Sequence, residues 1–370
     1  MVMKKLILSL TALAFLVWGI PAQENAKTET VQEVQQEKAV KKETPQAKFK
    51  ARIYAQYEGQ LKKTTNGVDT AKGKLKNEFS IERVYLRYTN YIAPHWKIHA
   101  TTDIGRADLD ANGSKDKYAV FLKYAYAQYG AVKKEEQKGT FAYRISMGMF
   151  ATYWIDLSDN FRKYRFVSKT DIDDLKIETS SDLGLGLSLF FVDKLITLDT
   201  AIQNGEGYGK PESNNYKASR SMLGIHPKFG DWKLSILGYV SLNQTEVKDS
   251  HLVAGPALQL AYAKLLRLQA SYMLLDDKVA GTSTKGNVLS VFLSIGLADL
   301  IGAPLEIAGQ MDLYDPDTSA QNDKQTKIIG GLVYRPLKLV AFSVDFMQKS
   351  TDTTQKTEEQ AVFVHSEFNF

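Results

Sequence analysis

The chain has 370 residues, with 19 tyrosines and 17 phenylalanines but only 9 prolines and no cysteine. Its 47 lysines and arginines nearly balance 42 acidic residues, a formal charge of +5, and the absence of any basic block argues against nucleic-acid binding. The lack of cysteine excludes disulfides and thiolate metal sites, and the aromatic-rich, proline-poor composition favours β-strands.

Residues 1–22 have the layout of a secretory signal peptide. Lys4 and Lys5 precede an apolar run that extends to Ile20, and Ala22 offers a small residue for cleavage. The apolar run is shorter than the ~20 residues that a membrane-spanning helix needs. We therefore predict an exported protein from which 1–22 are removed.

Residues 23–47 form a separate polar segment, rich in Gln, Glu, Lys and Thr. Its only sizeable apolar residues are Val31, Val34 and Val40, too few to bury the surface that independent folding requires. We interpret 23–47 as a periplasmic leader, either disordered or a short helix that self-associates through the valines. The folded domain is then 48–370.

From residue 49 onward, apolar and polar side chains alternate with a period of two in runs of about ten residues. Clear examples are 96–104, 141–149, 183–189, 266–274 and 305–313. This period is that of β-strands with two unlike faces, and about ten residues let a tilted strand cross a bilayer. Short connections alternate with long polar ones, 276–286 among them. We therefore predict an all-β, antiparallel transmembrane barrel of about sixteen strands, with short periplasmic turns and longer external loops.

The chain finishes on an alternating strand whose last residue is Phe370. Outer-membrane barrels of bacteria usually end this way, so we predict localisation in the bacterial outer membrane, contact with its lipid, and engagement of the barrel-assembly machinery through Phe370. Aromatic residues near strand ends, Phe150 and Trp154 among them, are expected to form girdles at the level of the lipid headgroups.

Other folds share parts of this pattern. Residues 288–308 are nearly all apolar and could be read as a membrane helix, but Gly302-Ala303-Pro304 interrupts them and favours two strands around a turn. A soluble β-sandwich or an extracellular β-solenoid would bury faces of the same period. Neither predicts so many long, similar strands or the terminal aromatic residue.

Four segments carry a family resemblance: 79–87, 96–103, 144–150 and, above all, 198–207. The last ends in Asn-Gly-Glu-Gly and is followed by Asn215-Tyr-Lys217 and a further strand. With them the chain resembles, loosely over 49–370, the phosphate-selective porin O/P family of outer-membrane porins. The resemblance implies a sixteen-stranded barrel, often trimeric, that passes small hydrophilic solutes by diffusion, in some members with a preference for phosphate-like anions.

The polar residues of the alternation are expected to face the lumen, where basic side chains would favour anions. The candidate pore-lining or constriction residues are Arg83, Arg87, Lys97, Arg144, Arg162, Lys163, Arg165, Arg220 and Arg267. Acidic residues share this face, so we expect only a mild anion preference. Three of the basic candidates belong to the long connection 151–178, which either folds inward and narrows the pore or remains an external, solvated loop.

Enzymatic and metal-binding functions have little support in the sequence. The five histidines lack metal-ligand spacing, and a hydrolase built on Ser80 and His99 would rest on chance. The acidic run 171–174 could bind a divalent cation, but such runs are usually solvated. We predict no enzyme activity, cofactor, metal or nucleic-acid partner. The alternative to a porin is a non-conducting surface barrel, with a plugged lumen, used for adhesion or anchoring.

Overall fold

The computed structural model describes residues 46–69, 75–107, 117–353 and 355–370. The signal peptide 1–22 and nearly all of the leader 23–47 lie outside the described residues, so those two interpretations stay predictions. Within the described part of the chain, sixteen long strands form one antiparallel sheet.

The strands in chain order are β1 Gln46–Thr65, β2 Asn77–Ala93, β3 Trp96–Ala107, β4 Lys117–Gly130, β5 Phe141–Ala151, β6 Ser181–Phe191, β7 Ile196–Gln203, β8 Ala218–Ile225, β9 Trp232–Gln244, β10 Ser250–Tyr262, β11 Leu266–Val279, β12 Thr282–Gly296, β13 Leu305–Asp315, β14 Gln325–Leu337, β15 Val340–Thr351 and β16 Thr357–Asn369. Two-residue strands at Val68–Asp69 and Lys228–Phe229 extend the connections. The helices are α1 Tyr153–Arg162, α2 Asp171–Asp174, α3 Ala298–Ile301 and a 3-10 turn, Glu135–Gln137.

The sheet closes on itself because the first strand pairs with the last. Arg52 lies opposite Asn369 and Thr65 opposite Thr357 along an antiparallel ladder. The backbone N–H of Ala51 donates to the carbonyl of Phe370 (2.7 Å), and the N–H of Phe370 donates back (3.0 Å). Closure removes the unpaired strand edges that hydrocarbon does not tolerate. The prediction of a barrel of about sixteen strands is confirmed.

Burial in this barrel is inverted relative to a water-soluble β protein. Large apolar side chains such as Met147 and Leu185 point outward and are exposed, whereas Thr101, Asp103 and Ser241 point inward and are fully buried. A soluble sandwich would instead bury its apolar face. An exposed apolar surface of this extent needs a covering layer, and hydrocarbon around a closed barrel supplies one.

Short turns lie at one end of the barrel and longer loops at the other. The short connections are 94–95, 192–195, 226–231, 263–265, 297–304 and 338–339, with 131–140 as one longer turn. Residues 288–308 form the predicted two strands around a turn, with α3 inside that turn. None of the described helices is long and apolar enough to cross a bilayer.

The prediction of a long loop at 276–286 is wrong, because most of these residues belong to two paired strands. β11 and β12 continue to a two-residue turn, Ala280-Gly281, with Asp276 opposite Lys285 and Asp277 opposite Thr284. The hairpin keeps its backbone ladder, but its side chains are polar on both faces. The alternation that marks a strand in the sequence is therefore lost while the strand itself persists.

Paired aromatic rings form a girdle at the short-turn end. The ring centroids of Trp96 and Tyr129 lie 4.9 Å apart, and those of Trp232 and Tyr262 lie 4.6 Å apart. Phe150 and Trp154 do not join a girdle, contrary to expectation. Phe150 is buried in the inward register of β5, which also contains Arg144, and Trp154 lies on α1 with none of its surface exposed.

The outward orientation of β6 gives a direct test of the membrane-facing surface. Leu185 lies near the middle of this strand and is 55% exposed. Leu185→Arg should lower the unfolding free energy in lipid by about 2–4 kcal/mol, because a cation at the bilayer midplane loses its water. Leu185→Phe, the matched control, should leave stability nearly unchanged. Equal stability of the two variants in a urea titration would contradict a lipid-facing Leu185.

Candidate functional site

The connection between β5 and β6, residues 152–180, lies inside the barrel and is called the inner loop. Gln269 of β11 donates to the Ser158 hydroxyl (2.7 Å), and Tyr164 donates to Asp345 of β15 (2.8 Å). The strand partners are buried residues of the barrel interior. Of the two arrangements left open for this segment, the structure therefore has the inward one.

Helix α1 is amphipathic in a way that explains this position. Trp154, Ser158 and Arg162 repeat at four-residue spacing and are buried against the barrel wall, whereas Asp156 and Asn160 on the other side are exposed. Trp154 and two isoleucines of the inner loop pack into one apolar cluster with inward side chains of β8–β12, namely Met222, Leu237, Tyr239, Val253, Ala257, Met273, Leu275 and Val288. The loop therefore has its own small core inside the lumen.

The acidic run 171–174 holds the inner loop in place. Asp171 accepts hydrogen bonds from Trp154 Nε1 (3.2 Å) and Ser271 Oγ (2.6 Å). Asp174 forms an ion pair with Lys327 of β14 (2.6 Å). In the described residues, no group of three or more His, Asp and Glu side chains is arranged to hold a metal ion.

The returning end of the inner loop is fixed by Arg220 of β8. Its guanidinium contacts Glu178 (3.0 Å), Asp182 (3.5 Å) and the Gln203 side chain (2.8 Å). Arg220, Glu178 and Asp182 are all almost completely buried. Removing one partner of such a pair leaves an uncompensated charge inside the protein, so Arg220 is placed to hold the loop rather than to meet solutes.

Five of the nine predicted basic residues are neutralised by carboxylates. The pairs are Arg83–Asp103 (3.2 Å), Arg162–Asp159 (3.2 Å), Arg165–Asp159 (2.6 Å) and Arg165–Asp173 (2.8 Å), Arg220–Glu178 (3.0 Å) and the close Arg267–Glu306 pair. Their charges are largely cancelled locally. Arg162 is also buried and donates to Gln310 of β13 (2.5 Å).

Three of the remaining predicted residues, Arg87, Lys97 and Arg144, lie over aromatic rings instead. Arg87 is 5.5 Å from the ring centroid of Tyr85, and Lys97 is 5.2 Å from that of Tyr126. Arg144 is 5.5 Å from the Phe190 ring centroid. Within the described ranges none of these three cations has a carboxylate within 4.0 Å. A neutral ring orients a cation without cancelling its charge.

These three cations lie on the inward face of β2–β6, which we call the open wall because most packing contacts of the inner loop are with other strands. Tyr85 of β2 is an exception, since it packs in one cluster with Tyr164 and Phe166 of the inner loop. The ninth predicted residue, Lys163, ends α1 in a left-handed conformation (φ 55°) and is exposed. Its carbonyl accepts a hydrogen bond from Arg335 of β14 (2.8 Å). Lys163 therefore lies on the loop side of the lumen and not with the open-wall cations.

Asp156 on α1 is the acidic counterpart of the open wall. The surrounding protein partly desolvates this carboxylate and, together with Asp159, raises the pKa of Asp156, while the charges of Arg144 and Arg87 act in the opposite direction. The influence of these two arginines places the open wall within electrostatic reach of α1. An acid of the inner loop therefore faces the cations of the open wall.

Sequence reasoning missed Lys123 as an interior cation. In the first half of β4 the even-numbered residues Tyr118, Val120 and Leu122 point outward. In the second half the odd-numbered Tyr129 does, so the two halves are out of phase. The strand changes phase at a β-bulge where its pairing with β3 slips between Thr101 and Thr102. Lys123 keeps the inward phase that follows Leu122, and the extra residue turns Tyr124 inward beside it. A bulge of this kind leaves no clear signal in the alternation.

Ser80 and His99, considered as a hydrolase pair, do not form a hydrogen bond with each other. His99 lies between the hydroxyls of Thr89 and Thr101, each 2.8 Å from a ring nitrogen. The Ser80 hydroxyl donates to Glu82 (2.8 Å). Each group is thus occupied by other partners, in hydrogen bonds that fix wall side chains.

Comparison with known proteins supports the fold. No family model and no curated protein matches the chain by sequence. Solved structures do match. The anion-selective porin from Comamonas acidovorans aligns with a TM-score of 0.57 at 12% identity, covering 88% of this chain and 100% of that one. OprB of Pseudomonas putida gives 0.64 at 8% identity, covering 88% and 94%. OmpF of Salmonella typhi gives 0.57 at 12% identity, covering 88% and 97%. The chain therefore has a barrel fold of the porin type.

Thiol labelling can test the position of the inner loop, because the chain contains no cysteine. A single cysteine at Asn160→Cys should react with a small, charged thiol reagent but not with a maleimide coupled to a 5 kDa polymer, since the polymer cannot enter the barrel. Ser158→Cys, on the buried side of α1, should resist both reagents. Rapid labelling of Asn160→Cys by the polymer reagent would place the loop outside.

Proposed function

We propose that this protein is a porin of the bacterial outer membrane through which small hydrophilic solutes diffuse passively, with a mild preference for anions. The observation that carries the proposal is the divided lumen. The inner loop fills one side, and Asp156 and Asn160 remain exposed towards an open wall that bears three cations without carboxylate partners. A wetted gap lined by fixed charges is suited to selecting solutes by size and charge.

The anion preference rests on Arg87, Lys97 and Arg144 and is limited by Asp156 across the gap and by Asp199. The Asp199 carboxylate accepts a hydrogen bond from Ser188 Oγ (2.5 Å), which in turn accepts one from Arg144 (3.0 Å). The nearest acid is therefore one hydroxyl away from the Arg144 guanidinium. Some positive potential remains on the open wall, but less than three isolated cations would give.

Finer features of the proposal come from the sequence. A relation to the phosphate-selective porin O/P family is supported by the segments around 79–103 and 198–207. Export with loss of 1–22, a periplasmic leader at 23–47, recognition of Phe370 during barrel assembly and a homotrimeric state belong to the same proposal.

Planar-bilayer recording of the purified protein tests the central claim. A diffusion porin should give stepwise, ohmic conductance in potassium chloride, because the water-filled gap is permanently open. A barrel that inserts and resists heat denaturation but carries no current would instead fit the adhesion or anchoring alternative, with the inner loop acting as a plug.

Charge-neutralising variants test the assignment of selectivity. Replacing Arg87, Lys97 and Arg144 by Gln should lower the anion-to-cation permeability ratio severalfold, measured as reversal potential in a salt gradient, because their charges are not cancelled locally. Lys356→Gln removes one positive charge at the long-loop end, where Lys356 lies 3.7 Å from Glu358, and should have little effect, whereas each of the three replacements made singly should lower the ratio. An unchanged ratio in the triple variant would remove the open wall from the selection mechanism.

The raised pKa of Asp156 predicts a pH dependence. As the pH falls through that pKa, the carboxylate becomes neutral, so the gap becomes more positive and the anion-to-cation ratio should rise. The midpoint of the rise should lie above pH ~3.9, the midpoint for an ordinary aspartate, because the pKa of Asp156 is raised. Asp156→Asn should show the higher ratio at neutral pH and lose this part of the pH dependence. A pH profile identical to that of the unmodified protein would exclude Asp156 as the titrating group.

A further inference from the structure

A cavity of about 330 Å³ lies at the long-loop end of the barrel, between β2–β4 and the loop that follows β7. Its lining includes the rings of Phe121 and Tyr208 and three basic side chains, Arg83, Arg106 and Lys210. Rings and cations in one concave space are the components from which organic-anion sites are built.

The loop that carries Tyr208 needs a glycine at position 207. Gly207 has φ 82°, and a Cβ at this position would lie 2.5 Å from the Thr179 side chain. Only glycine fits both constraints without strain. The Tyr208 N–H then donates to the Ser181 carbonyl (3.1 Å), and its hydroxyl reaches Asp103 (3.4 Å). The ring is therefore held at the cavity wall by contacts at both of its ends.

Among the described residues, the charge around the cavity leaves a positive excess. Arg83 and Lys123 share one carboxylate, Asp103, at 3.2 and 3.7 Å. Lys210 has no carboxylate partner in the described part of the chain, and Arg106 has an exposed one in Glu78 (3.4 Å).

One oxygen of the acidic lining residue is already occupied. Glu206 Oε1 accepts hydrogen bonds from the Ser213 hydroxyl (2.9 Å) and the Asn214 amide (2.7 Å) of its own loop, whereas Oε2 has no hydrogen-bond partner among the described residues. Burial opposes the ionised form, but the hydrogen bonds from Ser213 lower the pKa of Glu206. The Oε1 side of this carboxylate is thus engaged in shaping the loop. Lys210 and the shared Arg83–Lys123 pair remain to attract an anion.

The size of the cavity argues for more than an inorganic anion. About 330 Å³ is at the lower end of the volume of small-molecule sites, and a single inorganic phosphate would leave most of it to water. We infer that this cavity is an entry site for ring-bearing organic anions, whose acid group meets the cations while the ring packs on Phe121 and Tyr208. The acid can be a carboxylate or a phosphate ester. The inference rests on the proposed porin function.

Buried rings and cations link the cavity wall to the open wall. The Lys123 ammonium lies 5.3 Å from the Tyr208 ring centroid and 5.2 Å from that of Tyr85. Arg87 lies over the other part of this array, 5.5 Å from the same Tyr85 centroid. Rings and cations therefore alternate from the cavity wall to Arg87, so the charges of Lys123 and Arg87 add to the positive potential felt in the cavity.

Current block in a planar bilayer tests the inference. Benzoate, glucose 6-phosphate, inorganic phosphate and glucose are added separately to the side facing the long loops. Benzoate and glucose 6-phosphate should reduce the chloride current saturably, at half-blocking concentrations at least severalfold below that of inorganic phosphate. Tyr208→Ala should raise these concentrations about five- to tenfold, the loss expected for one aromatic contact. Tyr208→Phe, which keeps the ring, should preserve the block.

Charge variants complete the test. Lys210→Gln should weaken the block by both organic anions, and Lys356→Gln should not. The inference is overturned if inorganic phosphate blocks as well as the organic anions, if glucose blocks equally, or if Tyr208→Ala changes nothing. A channel that conducts normally but is blocked by none of the four solutes also overturns it, while the porin proposal stands. Absence of conductance counts against the porin function itself.

Discussion

The structure depends on one constraint: a backbone surrounded by hydrocarbon must satisfy all its hydrogen bonds internally. A sheet meets this condition only by closing, and here closure is made by the ladder between β1 and β16 and by the reciprocal bonds of Ala51 and Phe370. Because a strand places successive side chains on opposite faces, closure also separates an outside for lipid from an inside for water. The period of two throughout the chain follows from that separation.

The inner loop divides this inside into two unlike halves. On the β8–β15 side, apolar side chains of the wall and of α1 and α2 exclude water and form a core, and ion pairs such as Lys327–Asp174 tie the loop to the strands. On the β2–β6 side the wall keeps polar and aromatic residues. The inner loop therefore narrows the lumen and presents a charged face to the open wall. Because its other side is packed against β8–β15, the position of that charged face is fixed.

The type of partner decides which basic residues can act on a solute. A carboxylate cancels the charge of an arginine within a few ångströms, as for Arg165, whereas an aromatic ring only orients it, as for Lys97 over Tyr126. Arginine–carboxylate pairs hold the inner loop in place, whereas cations over aromatic rings line the open wall. This division explains how a nearly balanced composition can still produce a locally positive open wall.

The sequence by itself determined the fold class, the approximate strand number and the inward register of most basic residues, because alternation is local and any strand with one lipid face must show it. It did not determine how far polar hairpins such as the one around Ala280-Gly281 extend. Both faces of such a hairpin carry polar side chains, so the alternation that marks a strand is missing. Tertiary structure alone decided that Trp154 enters the barrel and that a bulge turns Tyr124 inward beside Lys123. It also decided that Arg162 and Arg165 anchor a loop, while Arg87 and Arg144 have no carboxylate partner among the described residues. These outcomes depend on contacts between residues far apart in the chain, and no local pattern encodes which carboxylate or ring a cation will meet.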